Sequence, residues 1–174
     1  VGFFLCQEGA ARVGAVAAEP IAGEGEALVE VYAASLNFPD GLQIQGKYQF
    51  QPPMPFTPGS EVGGKIKSVG PGLKGFDVGD RVMATPGLGG LAEEVIVKEI
   101  GLRKIPDSMD FRTAASFAMV YTTSYYALKQ RAQLQAGETL LVLGASGGVG
   151  LTAVELGKLM GAKVIAAASS DEKL

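Results

Sequence analysis

Residues 138–174 constrain this chain more than any other stretch: ETLLVLGASGGVGLTAVELGKLMGAKVIAAASSDEKL. The charge-free run 139–143 leads into a glycine-rich turn, residues 151–160 repeat apolar side chains at helical spacing through Leu156 and Met160, and a second apolar run covers 164–168. Strand, turn, helix and strand in that order predict a βαβ unit. Its short apolar strands belong to a parallel sheet covered on both faces, and its crossover is right-handed by default.

The turn holds the chemistry. The three glycine positions of the dinucleotide fingerprint G-x-G-x-x-G fall on Ala145, Gly147 and Gly150, with further glycines at 144 and 148. A tight turn asks for a small residue at 145, a pyrophosphate for close backbone approach at 147, and helix-on-strand packing for a missing side chain at 150. The amides of Gly147, Gly148 and Val149 are expected at the helix N-terminus, where unpaired N–H groups and the macrodipole favour an anion. Glycines also serve tight packing alone, but the strands on both sides favour nucleotide binding.

Beyond the second strand, a NAD-binding unit carries an acidic residue for the ribose 2′-hydroxyl. Here Ala168, Ser169 and Ser170 end the strand and Lys173 follows. Hydroxyls and a positive charge suit a 2′-phosphate, which a carboxylate repels, so NADP(H) is the expected cofactor. Asp171 competes, because it can turn back towards a ribose. Ser170 with Asp171 and Glu172 also reads as the cap and first turn of another helix.

Absences narrow the function further. The 174 residues include no His and one Cys, Cys6. A zinc site drawn mainly from His and Cys therefore cannot be built, nor an intrachain disulfide, nor a Ser–His or Cys–His nucleophile pair. No metal is expected, and hydrolases fall out. The net charge of −3, with both signs interspersed, offers no basic field for nucleic acid or anionic lipid. The uncharged stretches 113–128 and 139–154 are too short and too polar to span a membrane. Residues 1–6 lack the basic flank and cleavage site of a signal peptide, which leads to a cytoplasmic expectation. A doubly wound sheet needs two βαβαβ halves, so either this is a fragment or a second half comes from elsewhere.

Upstream, the pattern changes. Residues 1–8 and 27–36 read as strands, with Val29 and Val31 on one face of the latter and Leu28, Glu30 and Tyr32 on the other. Residues 10–18 read as irregular. Pro39 biases Phe38 towards an extended conformation, Asp40-Gly41 marks a turn or short helix start, 42–48 a short helix, and 51–58 a stiff proline-rich loop. Strands at 61–69, 81–86 and 91–97 with glycine turns between them indicate a small antiparallel barrel or sandwich. Asp110 is a good cap for one long helix over 111–131. The hydroxyls of residues 121–126 in its middle either line a polar cleft or pack.

With these segments in view, the chain resembles the zinc-free quinone oxidoreductase branch of the medium-chain dehydrogenase/reductase superfamily. The marks are LNFPDGLQIQGKY (36–48), PFTPGSEVGGKIKSVGPG (55–72), GDRV (79–82), TTSYYAL (122–128) and LGASGGVGLTAVELGKLMGAKV (143–164). The resemblance implies an α/β protein with a GroES-like β-barrel substrate domain over 1–107. The first part of a Rossmann-like parallel sheet follows over 108–174, with an NADPH cleft between the domains and a homodimer for the full-length protein. Zinc-binding relatives carry Cys and His where this chain has Asn37 and Ser60. The resemblance places Asn37 and Tyr48 beside nicotinamide and substrate, and Thr123 towards the nicotinamide end; Asn37 and Tyr48 are then the candidate donors to a carbonyl oxygen as charge develops. It also places Ser169 and Lys173 near the 2′-phosphate, and a family tyrosine of the substrate site falls on Leu42. Asn37 also reads as a turn former and Tyr48 as a loop-packing aromatic. The implied reaction is hydride or electron transfer from NADPH to a quinone or related conjugated carbonyl. An enone or enoyl reductase, and a non-catalytic nucleotide-sensing or partner-binding module, are the alternatives.

Overall fold

The computed structural model describes residues 4–7, 10–13 and 19–173, the first two segments by their backbone. Two compact units result, Val1–Ala118 and Met119–Leu174. The strands of the first are β1 (Phe4–Gln7), β2 (Ala10–Val13), β3 (Glu26–Ala34), β4 (Val62–Val69), β5 (Arg81–Ala84), β6 (Glu94–Lys98) and β7 (Leu102–Lys104). β1 pairs with β2, and the other five form an antiparallel sheet in the order β6-β3-β4-β5-β7. Ala27, Val29, Val62, Ile66, Val82, Ala84, Val95, Val97 and Leu102 make its core. These small, β-branched residues suit a closely packed pleated surface.

The sequence reading needs correction here. Residues 10–13 are not irregular but pair antiparallel with β1, from Phe4↔Val13 to Gln7↔Ala10. Their small side chains carry no alternation to read, so backbone pairing defines the strand. Residues 1–3, 8 and 14–18 of those readings lie outside the described residues. In β3, Leu28 is buried along with Ala27 and Val29, because a register shift against β4 between Leu28 and Val29 interrupts the alternation. β6 starts at Glu94 rather than 91, and β7 carries no sequence signal beyond its three residues.

A short helix, α1 (Phe38–Ile44), begins four residues earlier than expected and ends four earlier. Asn37 takes the extended conformation instead, at φ −104° and ψ 153°, and Pro39 sits inside the first turn. The next helix, α2 (Phe111–Ala115), lies against β3, β4 and β5. Arg81 fixes the approach to α2, donating to the carbonyls of Pro106 (3.2 Å), Asp107 (2.8 Å) and Met109 (2.5 Å) while lying over the Phe111 ring. Asp110 caps α2 as expected, accepting from Thr113 N at 2.7 Å. That bond holds its carboxyl below the usual range.

The single helix expected over 111–131 is three pieces: α2, α3 (Ala118–Tyr125) and a π-helical turn, Tyr126–Arg131. Ser116 ends α2 by bonding back, its amide to Thr113 O at 3.2 Å and its hydroxyl to Arg112 O at 3.0 Å. At the far end Ala132 N reaches Ala127 O, five residues back, at 2.8 Å.

The second unit contains β8 (Thr139–Leu143), α4 (Gly148–Leu159), β9 (Lys163–Ala167) and a closing 3₁₀ turn, Asp171–Lys173. β8 and β9 are parallel and in register from Thr139↔Lys163 to Leu143↔Ala167. The expected strand, turn, helix and strand are all present. Among the described residues, no helix is long and apolar enough to cross a membrane.

Ile66 is 1% exposed and Ile21 90% exposed. Ile66→Ala is expected to lower the urea unfolding free energy by about 2–5 kcal/mol, and Ile21→Ala to shift it by no more than about 0.5 kcal/mol.

Candidate functional site

The glycine turn joins β8 to α4. Its left-handed residue is Gly144, at φ +68°, rather than position 145. Ala145 is buried, and its amide donates to Ala167 O at 3.0 Å, tying the turn to the end of β9. At Gly150 a β-carbon would stand 2.2 Å from Gly144 O and 2.9 Å from Ala145 Cα, so only glycine fits without displacement of the backbone. At Gly147 it would meet only Gly144 O, at 3.5 Å, an ordinary contact.

α4 starts at Gly148, with Gly147 as its N-cap, and the set of open amides lies one residue later than the expected 147–149. Gly147 N is occupied by Gly144 O at 3.0 Å, and the first bond into the helix runs from Leu151 N to Gly147 O at 2.7 Å. The amides of Gly148, Val149 and Gly150 precede that ladder, as the first N–H groups of any helix do. Open amides of this kind suit an anion, and the open set is 148–150, where 147–149 was expected.

α3 is seated on the first half of α4. Ser124, buried, bonds to Val149 O at 2.8 Å and to Thr152 Oγ1 at 2.7 Å, while Thr152 reaches Val120 O at 3.2 Å. A β-carbon on Gly148 would stand 3.0 Å from Val120 Cγ1. The hydroxyls of 121–126 therefore divide. Ser124 packs, Tyr121 donates to Glu155, which raises its pKa, and Thr123 bonds back to Met119 O at 2.6 Å on an exposed face. Past β9, Lys173 Nζ donates to Ser169 Oγ at 3.2 Å, and Ser169, Ser170 and Lys173 are all exposed. The second unit thus brings together the glycine turn, the helix bearing Thr123 and a lysine–hydroxyl group. A cradle that a β-carbon would fill, open amides and a cationic donor set fit a dinucleotide's phosphates.

The first unit holds Asn37 and Tyr48. Asn37 N donates to Asp40 Oδ2 at 2.8 Å, which anchors α1. Its Nδ2 donates inward, to Ser35 Oγ at 2.9 Å and Glu61 Oε2 at 3.4 Å, rather than standing free as a donor to a carbonyl oxygen. Ser35 Oγ donates to the same Glu61 oxygen at 3.0 Å. Tyr48 follows α1, is half-buried and makes no hydrogen bond among the described residues. Ser60 is buried and its hydroxyl has no partner among them. The segment leading to it is zipped to a second loop through Gly90 N to Gly59 O (2.8 Å) and Leu91 N to Pro58 O (3.0 Å). Gly59 makes this possible, with φ +102° and no room for a β-carbon against Leu91 N. Among the described residues no group of three or more His, Cys, Asp and Glu is arranged to hold a metal.

The sequence profile of the alcohol dehydrogenase GroES-like domain matches residues 23–107. A quinone oxidoreductase-like protein 2 homolog of Nematostella vectensis is 44% identical over 154 residues, covering 87% of this chain and 42% of the relative. The quinone oxidoreductase of Thermus thermophilus, solved also in complex with NADPH, superposes with TM-score 0.89 at 37% identity, covering 100% of this chain and 55% of that one. In sequence and in fold the chain is similar to quinone oxidoreductases. It is also similar to the CurK enoyl reductase, with TM-score 0.87 at 28% identity over 99% of this chain and 55% of the other. The chain spans about half the length of these relatives.

Sequence reasoning missed Ser35 and Glu61, because a serine at a strand end and a glutamate at a strand start both read as solvated. The glycine turn generates a direct test. Gly150→Ala is expected to lower the thermal midpoint and abolish nucleotide binding. Gly147→Ala keeps the midpoint within about 2 °C, the scale of a perturbation of a few tenths of a kcal/mol. A loss of binding at 147 then reports on the ligand, and equal midpoints for the two variants would contradict the packing described.

Proposed function

We propose that this chain is the substrate domain (1–107) and the first part of the cofactor domain (108–174) of an NADPH-dependent oxidoreductase acting on quinones or related conjugated carbonyls. The observation that carries the reading is the second unit's arrangement. Open amides of residues 148–150 and the Gly150 cradle lie on one side of the Ala145–Ala167 bond, and Ser169, Ser170 and Lys173 follow on the other. The amides at 148–150 hold the pyrophosphate through backbone donors and the helix dipole. Lys173 and the two serines receive a 2′-phosphate, for which positive charge and hydroxyl donors are the matching chemistry. The Thermus thermophilus enzyme's NADPH complex supports the same choice.

When bound, NADPH supplies a hydride or electrons. This chain's residues position and polarise: Tyr48 offers a hydroxyl to an acceptor's carbonyl oxygen, Asn37 borders the nicotinamide, and Thr123 stands on the helix beside the glycine turn. No nucleophile is required. Zinc has no place in the reading, because Asn37 and Ser60 stand at the ligand positions and neither is a thiolate or imidazole. The protein works in the cytoplasm on a small molecule, without nucleic acid or membrane, and its full-length form is a homodimer. Similarity to CurK and the replacement of a family tyrosine by Leu42 favour an enoyl or enone acceptor as the second reading.

Three measurements test this. NADPH binds more tightly than NADH in fluorescence titration of the full-length protein, and Lys173→Ala removes about 1–3 kcal/mol of the preference. Equal affinities would transfer the choice to Asp171. Turnover of a benzoquinone supports the first reading, and turnover of an enone alone selects the second. Elemental analysis finds no stoichiometric zinc and chelators leave activity intact; one tightly held equivalent would contradict the zinc-free assignment.

A further inference from the structure

We infer that Glu61 is a positioning residue that fixes which end of the Asn37 carboxamide meets the bound dinucleotide, so that Asn37 acts there as an acceptor through Oδ1. The inference rests on the NADPH reading above, and its geometry lies wholly in the first unit. Glu61 is 0% exposed, and a carboxylate only accepts hydrogen bonds. Its Oε2 accepts from Ser35 Oγ at 3.0 Å and from Asn37 Nδ2 at 3.4 Å, and Nδ2 also donates to Ser35 Oγ at 2.9 Å.

The order of donors in this triangle is forced. Ser35 gives its one hydroxyl hydrogen to Glu61, so its oxygen meets Asn37 as an acceptor. Both neighbours of the carboxamide are therefore acceptors, and its oxygen end would be repelled from each. Only the nitrogen end can face inward, and its two hydrogens are used there. What the side chain has left for a ligand is Oδ1, a carbonyl oxygen that faces the Asp40 amide across the capping box at the head of α1 and keeps a second lone pair. The backbone is held as well, by Asn37 N to Asp40 Oδ2 at 2.8 Å, so the residue cannot answer by moving as a whole.

The class of ligand group follows. Oδ1 meets a donor, such as a ribose hydroxyl or a carboxamide N–H of the dinucleotide, and does not meet the quinone oxygen, which is itself an acceptor. The donor to that oxygen must be another group, and Tyr48, whose hydroxyl has no partner among the described residues, is available. Asn37 thus belongs to cofactor binding, and Glu61 acts on the cofactor only through it.

The test uses the full-length protein and two readouts. The first is hydrogen exchange of the Asn37 side-chain amide, assigned by its disappearance in Asn37→Ala. Its protons exchange slowly in the wild type and at least about tenfold faster in Glu61→Leu, the scale of one lost bond to a charged acceptor. Glu61→Gln, which keeps a carbonyl acceptor, restores part of the protection. The second is NADPH affinity by fluorescence titration. Glu61→Leu and Asn37→Ala each weaken it about three- to tenfold, and the double variant binds no more weakly than Asn37→Ala alone. If Glu61→Leu does not fold, Ser35→Ala removes the shared hydroxyl from a half-buried position and carries both comparisons. Losses that multiply in the double variant, or unprotected Asn37 amide protons in the wild type, overturn the inference. If the wild type binds no NADPH, the cofactor reading falls, while the exchange comparison still decides whether Glu61 holds the amide.

Discussion

At Gly150 a hydrogen atom stands where any other residue would place a carbon 2.2 Å from a carbonyl oxygen. The second unit depends on that clearance. With it, the first turn of α4 presses onto the turn leaving β8, the amides of 148–150 stay ahead of the helical ladder, and Ala145 remains close enough to bond the end of β9. The Ser124–Thr152 pair then holds α3 on α4. The backbone contact that joins helix to strand is thus the one that leaves the first amides of α4 without helical partners.

The first unit is governed by a different demand. A carboxylate without exposed surface has to be hydrogen-bonded, since an unpaired buried charge is costly. Glu61 meets that demand by drawing in the residues that follow β3, Ser35 and Asn37, and so sets where α1 begins. On β5, Arg81 plays a comparable part for the approach to α2, directing its guanidinium at three backbone carbonyls and one aromatic face. Glu61 gathers two polar side chains, whereas Arg81 satisfies backbone carbonyls of a segment outside any sheet.

What could be read from sequence was what is local. The βαβ unit, its glycine turn and the Asp110 cap were legible because each is written in a few consecutive residues. The single helix over 111–131 was not, because its break depends on Ser116 bonding to its own preceding carbonyls, a choice that a serine makes only in context. The start of α4 was legible to within one residue, since the amides expected at its N-terminus were those of 147–149 and the helix begins at Gly148. For the site, residue types were legible and orientations were not. Asn37 stands as the extended N-cap of α1, but nothing in LNFPD tells which end of its amide faces a glutamate 24 positions away.

The segment after β9 contributes almost nothing to the core. Ser169, Ser170, Asp171, Glu172 and Lys173 are exposed, joined to one another through contacts of Lys173 with Ser169 and Ser170, while the strand before them is anchored at Ala167. Exposed substitutions of this kind are nearly neutral for folding. Selection can therefore rewrite these five positions, exchanging hydroxyls and a cation for a carboxylate, without disturbing the glycine turn or the strands. The chemistry displayed past β9 is a separable, evolvable trait of this architecture.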